Sequence, residues 1–226
     1  IINIKRKSQL NRFKKCLSHN REIILAKAKQ EREALLKYLD QMGMNTSSKK
    51  SIVDIGHNAT LQQSLGRMLN TTNIGGYYFV TYHPAEKVVR EGFDVKGYLI
   101  EFEDNKLSTH PYCQNIGMFE FLFLTNDPSF KRFRLENNEP IGEFVEGDES
   151  SRFTLVNQVH NGVRDYVDDV LKASQGNFIE AYDISKNHSC QFYLDFLSQP
   201  YYKDAHIFNN VSFVDAFGGS DTRYLI

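Results

Sequence analysis

The residues best equipped for chemistry stand together in Ser51–Gln63, SIVDIGHNATLQQ. An apolar run ends in Asp54, Gly56 follows, and after a short loop Thr60 opens a stretch of helical pattern. A strand, a loop and a helix joined in this way are how many α/β folds hold phosphate. The first turn of a helix has N–H groups without intrahelical partners and lies at the positive end of the helix dipole. Gly56 lets the backbone approach an anion closely, and Asn58 and Thr60 add hydrogen-bonding groups. Asp54, at the C-terminal edge of its strand, sits where open α/β sheets bind ligands, and suits a ribose hydroxyl or the shell of a Mg²⁺ ion. The alternative is an ordinary βα turn in which Asn58 or Thr60 caps the helix. The stretch is neither a GxxxxGK[ST] phosphate loop nor a GxGxxG dinucleotide loop.

Other reactive types are scattered. His57, beside the turn, is either a stacking or hydrogen-bonding group for a ligand or a structural residue. His83-Pro84-Ala85-Glu86 reads as a turn, not a zinc motif. His188 and Cys190 have no base-orienting partner near them in sequence and make no catalytic dyad. Lys131, Arg132 and Arg134 interleave with Phe130 and Phe133, a pattern that fits contact with a phosphorylated substrate or nucleic acid, and equally an exposed edge strand. No nucleic-acid module is matched. Cys16, Cys113 and Cys190 form no CxxC, which argues against a disulfide framework or a structural zinc site and for a reducing, cytoplasmic setting. No metal site is expected from spacing.

The elements that must position the turn follow from pattern. Residues 10–43 read as one long basic helix without Pro or Gly before Gly43, with Ile24, Ala28, Leu35, Leu39 and Met42 close to one face. Residues 50–83 read as a βαβ unit: strand KSIVDIG, helix HNATLQQSLGRMLN, strand NIGGYYFVTYH. GYLIEFE is a further strand, and NIGMFEFLFLT is either strand or buried helix. NNEPIGEFVEGDESS reads as a loop, RFTLVNQVHNGVRDYVDDVLKAS and HSCQFYLDFLSQP as helices, and VSFVD as a strand. The fold class is therefore α/β: a Rossmann-like, partly parallel sheet with a long N-terminal helix and a helical C-terminal part. Residues 1–226 are expected to form a single domain. The first residue is Ile1 rather than Met, so this domain is expected to be the C-terminal piece of a larger protein.

Composition bounds the function. With 226 residues, 41% hydrophobic and 24% charged, the chain can bury a core and is not compositionally disordered. No run reaches the ~18 apolar residues of a membrane span. The 17 Phe and 12 Tyr, with no Trp, imply an aromatic core. Formal net charge is -1 but polarised: residues 1–50 hold 13 Lys+Arg against 4 Asp+Glu, and residues 51–226 hold 14 against 24. Such asymmetry marks either an anionic partner at one end or a solvated basic helix.

Several segments carry a resemblance: EREALLKYLDQMGM with the Tyr38-Leu39 pair, SIVDIGHNATLQQSLGRML, NIGGYYF, the single Glu120 within MFEFLF, and VNQVHNGVRDYVDDV. In this order, over about residues 28–220, the chain resembles the C-terminal module of bacterial surface-polysaccharide proteins that carry an N-terminal phosphatase domain of the haloacid dehalogenase type. The resemblance implies a phosphoribosyltransferase-like transferase that places a phosphoribosyl or related glycosyl unit on a growing capsule or O-antigen glycan. Its partners would be a phosphorylated sugar donor, a glycan acceptor, and a phosphatase domain in the same or a neighbouring chain. Carried over, Asp54 would contact ribose hydroxyls, and Gly56, Asn58, Thr60 and Leu61 would hold the 5-phosphate, with His57 and Gln62 beside them. Glu120 would be the second catalytic carboxylate, either base or metal shell, or else a paired core-edge acid. No cofactor is implied beyond Mg²⁺. His57 stands where the family usually has Trp, and Ala59 where it usually has Gly; Ala59 restricts the backbone if the turn needs positive φ. These departures motivate the other reading, a non-catalytic scaffold or substrate-binding module beside the phosphatase.

Overall fold

The computed structural model describes residues 7–46, 49–104, 108–145, 150–175, 185–209, 211–215 and 221–224. In chain order the elements are α1 (Lys7–His19), α2 (Arg21–Gln41), β1 (Lys50–Asp54), α3 (Thr60–Leu69), β2 (Ile74–Tyr82), α4 (Ala85–Arg90), β3 (Val95–Glu103), α5 (Pro111–Gln114) and α6 (Ile116–Leu122). There follow β4 (Phe130–Glu136), β5 (Glu139–Phe144), α7 (Ser150–Ala173), α8 (Lys186–Ser198), α9 (Tyr202–Ile207), β6 (Ser212–Asp215) and β7 (Asp221–Tyr224). The chain is mixed α/β with a three-stranded parallel sheet, and β6 and β7 pair in a separate ribbon. Where one domain was expected, contacts divide the chain into two compact units. One is built mainly on Ile1–Ser47 and Asp127–Gly147, the other mainly on Ser48–Asn126 and Asp148–Phe213.

In the first unit the expected long helix is two. Asn20 separates α1 from α2 with φ -96 and ψ 11. Its side-chain N–H donates to the Cys16 carbonyl at 2.9 Å, beside the Asn20 backbone N–H on the same oxygen. Asn competes with the helix for its own carbonyls in this way, which is why it favours helix ends. The NNEPIGEFVE stretch, expected to be a loop, supplies β5 of an antiparallel hairpin with β4. The turn is Asn137-Asn138, both left-handed at φ 49 and 67, the pairing that a two-residue hairpin turn requires. Pro140 and Gly142, poor strand formers, disguise β5; residues 146–149 of the same acidic stretch lie outside the described residues. The Arg132 guanidinium bonds Glu143 at 2.6 Å and Glu31 at 3.2 Å, and Arg134 engages Glu136 and Glu143. The two arginines of SFKRFR are thus matched by carboxylates.

The second unit holds the parallel sheet, in strand order β1-β2-β3. The residues 50–83 unit forms as expected, and α4 adds a second crossover from β2 to β3. β2 is central, and its alternate and consecutive buried positions match a strand covered on both faces. One core cluster joins Ala59, Tyr78, Ala85, Val88, Phe93 and Val95 beneath α3 and α4. A second joins Val80, Tyr82, Tyr112 and Phe119, with Phe79, Leu99, Tyr193 and Leu197 against it. NIGMFEFLFLT resolves as the helix α6, burying Met118, Phe119 and Phe121.

Close packing of α3 depends on Gly66. A Cβ there would strike the Phe93 ring and come within 2.6 Å of the Thr71 carbonyl. Overpacking of this kind costs roughly 1–3 kcal/mol. Gly66→Ala is therefore expected to lower the urea midpoint by a corresponding amount, measured by circular dichroism; an unchanged midpoint would show that α3 does not sit this close to Phe93.

Candidate functional site

The C-terminal ends of the three parallel strands carry the candidate site. Asp54 closes β1, and its Oδ1 accepts the Gly56 N–H at 2.8 Å. A Cβ at position 56 would sit 3.2 Å from both carboxylate oxygens, close enough that the Asp54 side chain would have to shift to admit it. The chain is next pinned to the central strand: the Tyr82 N–H donates to the His57 carbonyl at 2.9 Å.

His57 turns inward. It is 9% exposed, its ring stacks on Tyr82 at 4.7 Å, and its Nε2 lies 2.9 Å from the Tyr112 hydroxyl. His57 therefore serves the packing of the edge, and its bond to Tyr112, 55 residues away, has no signature in sequence. Gln62 is wholly buried. Its amide donates to the Ile74 carbonyl at 2.6 Å and the Asp94 carbonyl at 2.8 Å, and its oxygen accepts from the Tyr78 hydroxyl at 3.1 Å. Both residues were candidates for ligand contact from sequence; in the structure their side chains fix the turn and α3 to the sheet.

The N-cap of α3 is Ala59, not Asn58 or Thr60, and no side chain caps the helix. Ala59 has φ 55 and ψ 19, the left-handed conformation. The positive φ anticipated at this position is therefore present, carried by Ala instead of Gly. Its methyl is 1% exposed within the core cluster under α3 and α4, and that packing offsets the strain. Among the described residues, no hydrogen bond engages the peptide N–H groups of Asn58, Ala59, Thr60 or Leu61. Thr60 and Leu61 are exposed, Gly56 and Asp54 partly so. Asn58 Oδ1 is buried without a hydrogen-bond partner. The edge thus presents one acceptor, the Asp54 carboxylate, near the unclaimed N–H groups of Asn58, Thr60 and Leu61 at a positive helix end, the Ala59 amide lying within the core. That suits a group combining hydroxyls with an anion.

The second carboxylate lies at the same end of the sheet. Glu120, half-buried on α6, and Glu103, the last residue of β3, both act on the Tyr82 hydroxyl. Burial first, then the Cys113 thiol and these two acids, raise the Tyr82 hydroxyl above its ordinary range. Burial likewise raises Tyr112, with Glu120 among the lesser causes. Asp54 lies near enough to His57, and Glu120 near enough to Tyr82 and Tyr112, for their charges to be felt there. Phe102, at the end of β3, is also left-handed at φ 57, and the β2–β3 register shifts beside it. Strained non-glycine backbone gathers at functional sites more than elsewhere. Among the described residues no group of three or more His, Cys, Asp or Glu side chains converges as a metal site, and no helix is long and apolar enough to cross a membrane.

Comparison with protein families, with curated proteins and with solved structures gives no match for the chain.

Two expectations follow from this geometry. Burial holds His57 below its ordinary value of 6.5, with the Asp54 charge opposing. The unfolded chain therefore takes up a proton at His57 more readily than the folded one. The corresponding stability is complete above 6.5 and declines as pH falls from there towards the folded-state value. Urea midpoints of the native chain should drop more between pH 7.5 and 5 than those of His57→Gln; parallel curves would contradict a buried neutral ring. At Ala59, Gly relieves the left-handed strain and loses a buried methyl, so Ala59→Gly should stay within about 1 kcal/mol of the native stability. Ala59→Val adds β-branching at positive φ inside a filled core and should cost more than about 2 kcal/mol; equal midpoints for the two variants would contradict the assigned backbone.

Proposed function

We propose that the parallel-sheet unit is a Rossmann-like donor-binding module of a transferase acting in bacterial capsule or O-antigen synthesis. It moves a phosphoribosyl or related glycosyl unit from a phosphate-activated donor to a glycan acceptor. The observation that carries the proposal is the pairing of a partly exposed Asp54 carboxylate with the uncapped, hydrogen-bond-free amides of Asn58, Thr60 and Leu61 at the C-terminal edge of β1. The resemblance of SIVDIGHNATLQQ and MFEFLF to the phosphatase-linked polysaccharide module supports the same reading. In it, Asp54 accepts the ribose hydroxyls and the amides of Asn58, Thr60 and Leu61 hold the 5-phosphate. The acceptor hydroxyl attacks C1 as the C1–O bond to pyrophosphate breaks, and Glu120 takes the hydroxyl proton. A Mg²⁺ ion, if used, would draw its ligands from Asp54, water and the donor phosphates. The setting is cytoplasmic, and a haloacid dehalogenase-type phosphatase in the same or a neighbouring chain would remove the 5-phosphate afterwards.

One observation favours a second reading, a non-catalytic binding or scaffold module. His57 and Gln62, expected at the ligand, are committed to internal hydrogen bonds. Calorimetric titration with phosphoribosyl pyrophosphate and Mg²⁺ separates the two. The transferase reading expects saturable binding that weakens at least tenfold in Asp54→Asn, about 1.4 kcal/mol, with Glu120→Gln binding normally but failing to transfer. No binding by the folded chain, or transfer indifferent to both substitutions, would favour the scaffold.

A further inference from the structure

Apart from the β1–α3 edge, the second unit carries a cleft of about 640 Å³ where α8 turns into α9. Its walls are the aromatic rings of Phe192, Phe196 and Tyr201 and the polar side chains of Asp195, Gln199 and Asp204. Phe192 is 88% exposed and Tyr201 82%. Two large rings this bare within ten residues, in one concave place, are unlike the singly scattered apolar residues of an ordinary surface.

The corner itself is built. Pro200 ends α8, and the Gln199 N–H closes onto the Asp195 carbonyl at 2.8 Å. The Ala205 and Asp204 N–H groups fold back onto the Tyr201 carbonyl. Phe196 is held against Phe208 at 5.7 Å between ring centres. The Gln191 amide donates to Asp195 Oδ1 at 2.8 Å and so orients that carboxylate.

The chemistry of the lining selects the ligand class. Among the described residues two carboxylates line the cleft and no Lys, Arg or His does, so a phosphate or other anion is disfavoured. A group with a flat C–H face for the rings and hydroxyl donors for the carboxylates and the Gln199 amide fits this lining. A neutral sugar ring has both.

We propose that the α8–α9 cleft binds a neutral saccharide, stacked on Phe192 and Tyr201 and hydrogen-bonded by Asp195, Asp204 and Gln199. The role of that saccharide as the glycan acceptor rests on the proposed transferase activity; the binding itself does not. The test is saturation-transfer NMR on the full chain with maltotetraose, cellotetraose, chitotetraose and β-1,4-galactotetraose as probes. At least one probe is expected to receive saturation on its ring C–H protons, with affinity falling at least tenfold in Phe192→Ala/Tyr201→Ala and in the milder Tyr201→Ser. Binding of phosphoribosyl pyrophosphate should be unaffected by these changes. No saturation of any probe, or an unaltered affinity in folded variants, would overturn the assignment. So would a change in oligomeric state on substitution without any saccharide signal, which would make the rings a protein contact. Saccharide binding without phosphoribosyl pyrophosphate binding would sink the transferase reading and leave this one standing.

Discussion

The Gln62 carboxamide has no exposed surface, and its hydrogen-bonding capacity is directed at the sheet: two carbonyls from β2 and the β3 approach, and the Tyr78 hydroxyl. A buried amide left unpaired costs about 1–3 kcal/mol for each orphaned group, so α3 has one low-energy seat. Gly76 makes that seat possible, because any Cβ there would collide with the Gln62 amide. Fixing α3 in this position fixes where its first turn opens, and hence where Asp54 and the free amides meet. The geometry of the candidate site is thus a consequence of a fully buried side chain.

The turn ahead of α3 is held from two directions. Gly56 closes locally on Asp54, and His57 is anchored on both backbone and ring by Tyr82 and Tyr112. With both ends tied, residues 58 and 59 must bridge a short gap, and Ala59 does so in the left-handed region. A rigid turn presents its amides without paying for order at the moment of binding. The same arrangement takes His57 and Gln62 away from solvent and leaves the Asp54 carboxylate partly exposed beside the turn.

Much of this was readable from residue order. The βαβ unit over 50–83 is announced by apolar runs bounded by Asp54, Gly56 and the Asn-rich turn before Ile74, and the structure places β1, α3 and β2 within it. The helical reading of HSCQFYLDFLSQP also stands, stopped at Pro200. Three features were not legible, each for a physical reason. The break at Asn20 depends on a side chain bonding its own helix, and Asn is tolerated mid-helix as well. β5 hides behind Pro140 and Gly142, residues that read as loop, since a two-stranded hairpin needs no long apolar alternation to form. The inward orientation of His57 depends on Tyr112, contributed by a distant helix that no local pattern links to the turn.

The central claim is that the first turn of α3 binds the phosphate of a sugar donor. The most direct measurement is an amide-resolved NMR titration of the ¹⁵N-labelled chain with ribose 5-phosphate. The account predicts saturable shifts concentrated at the N–H groups of Asn58, Thr60 and Leu61, together with Gly56 through its bond to Asp54. Shifts absent from these residues while the spectrum remains that of a folded protein, or confined to other parts of the chain, would contradict it.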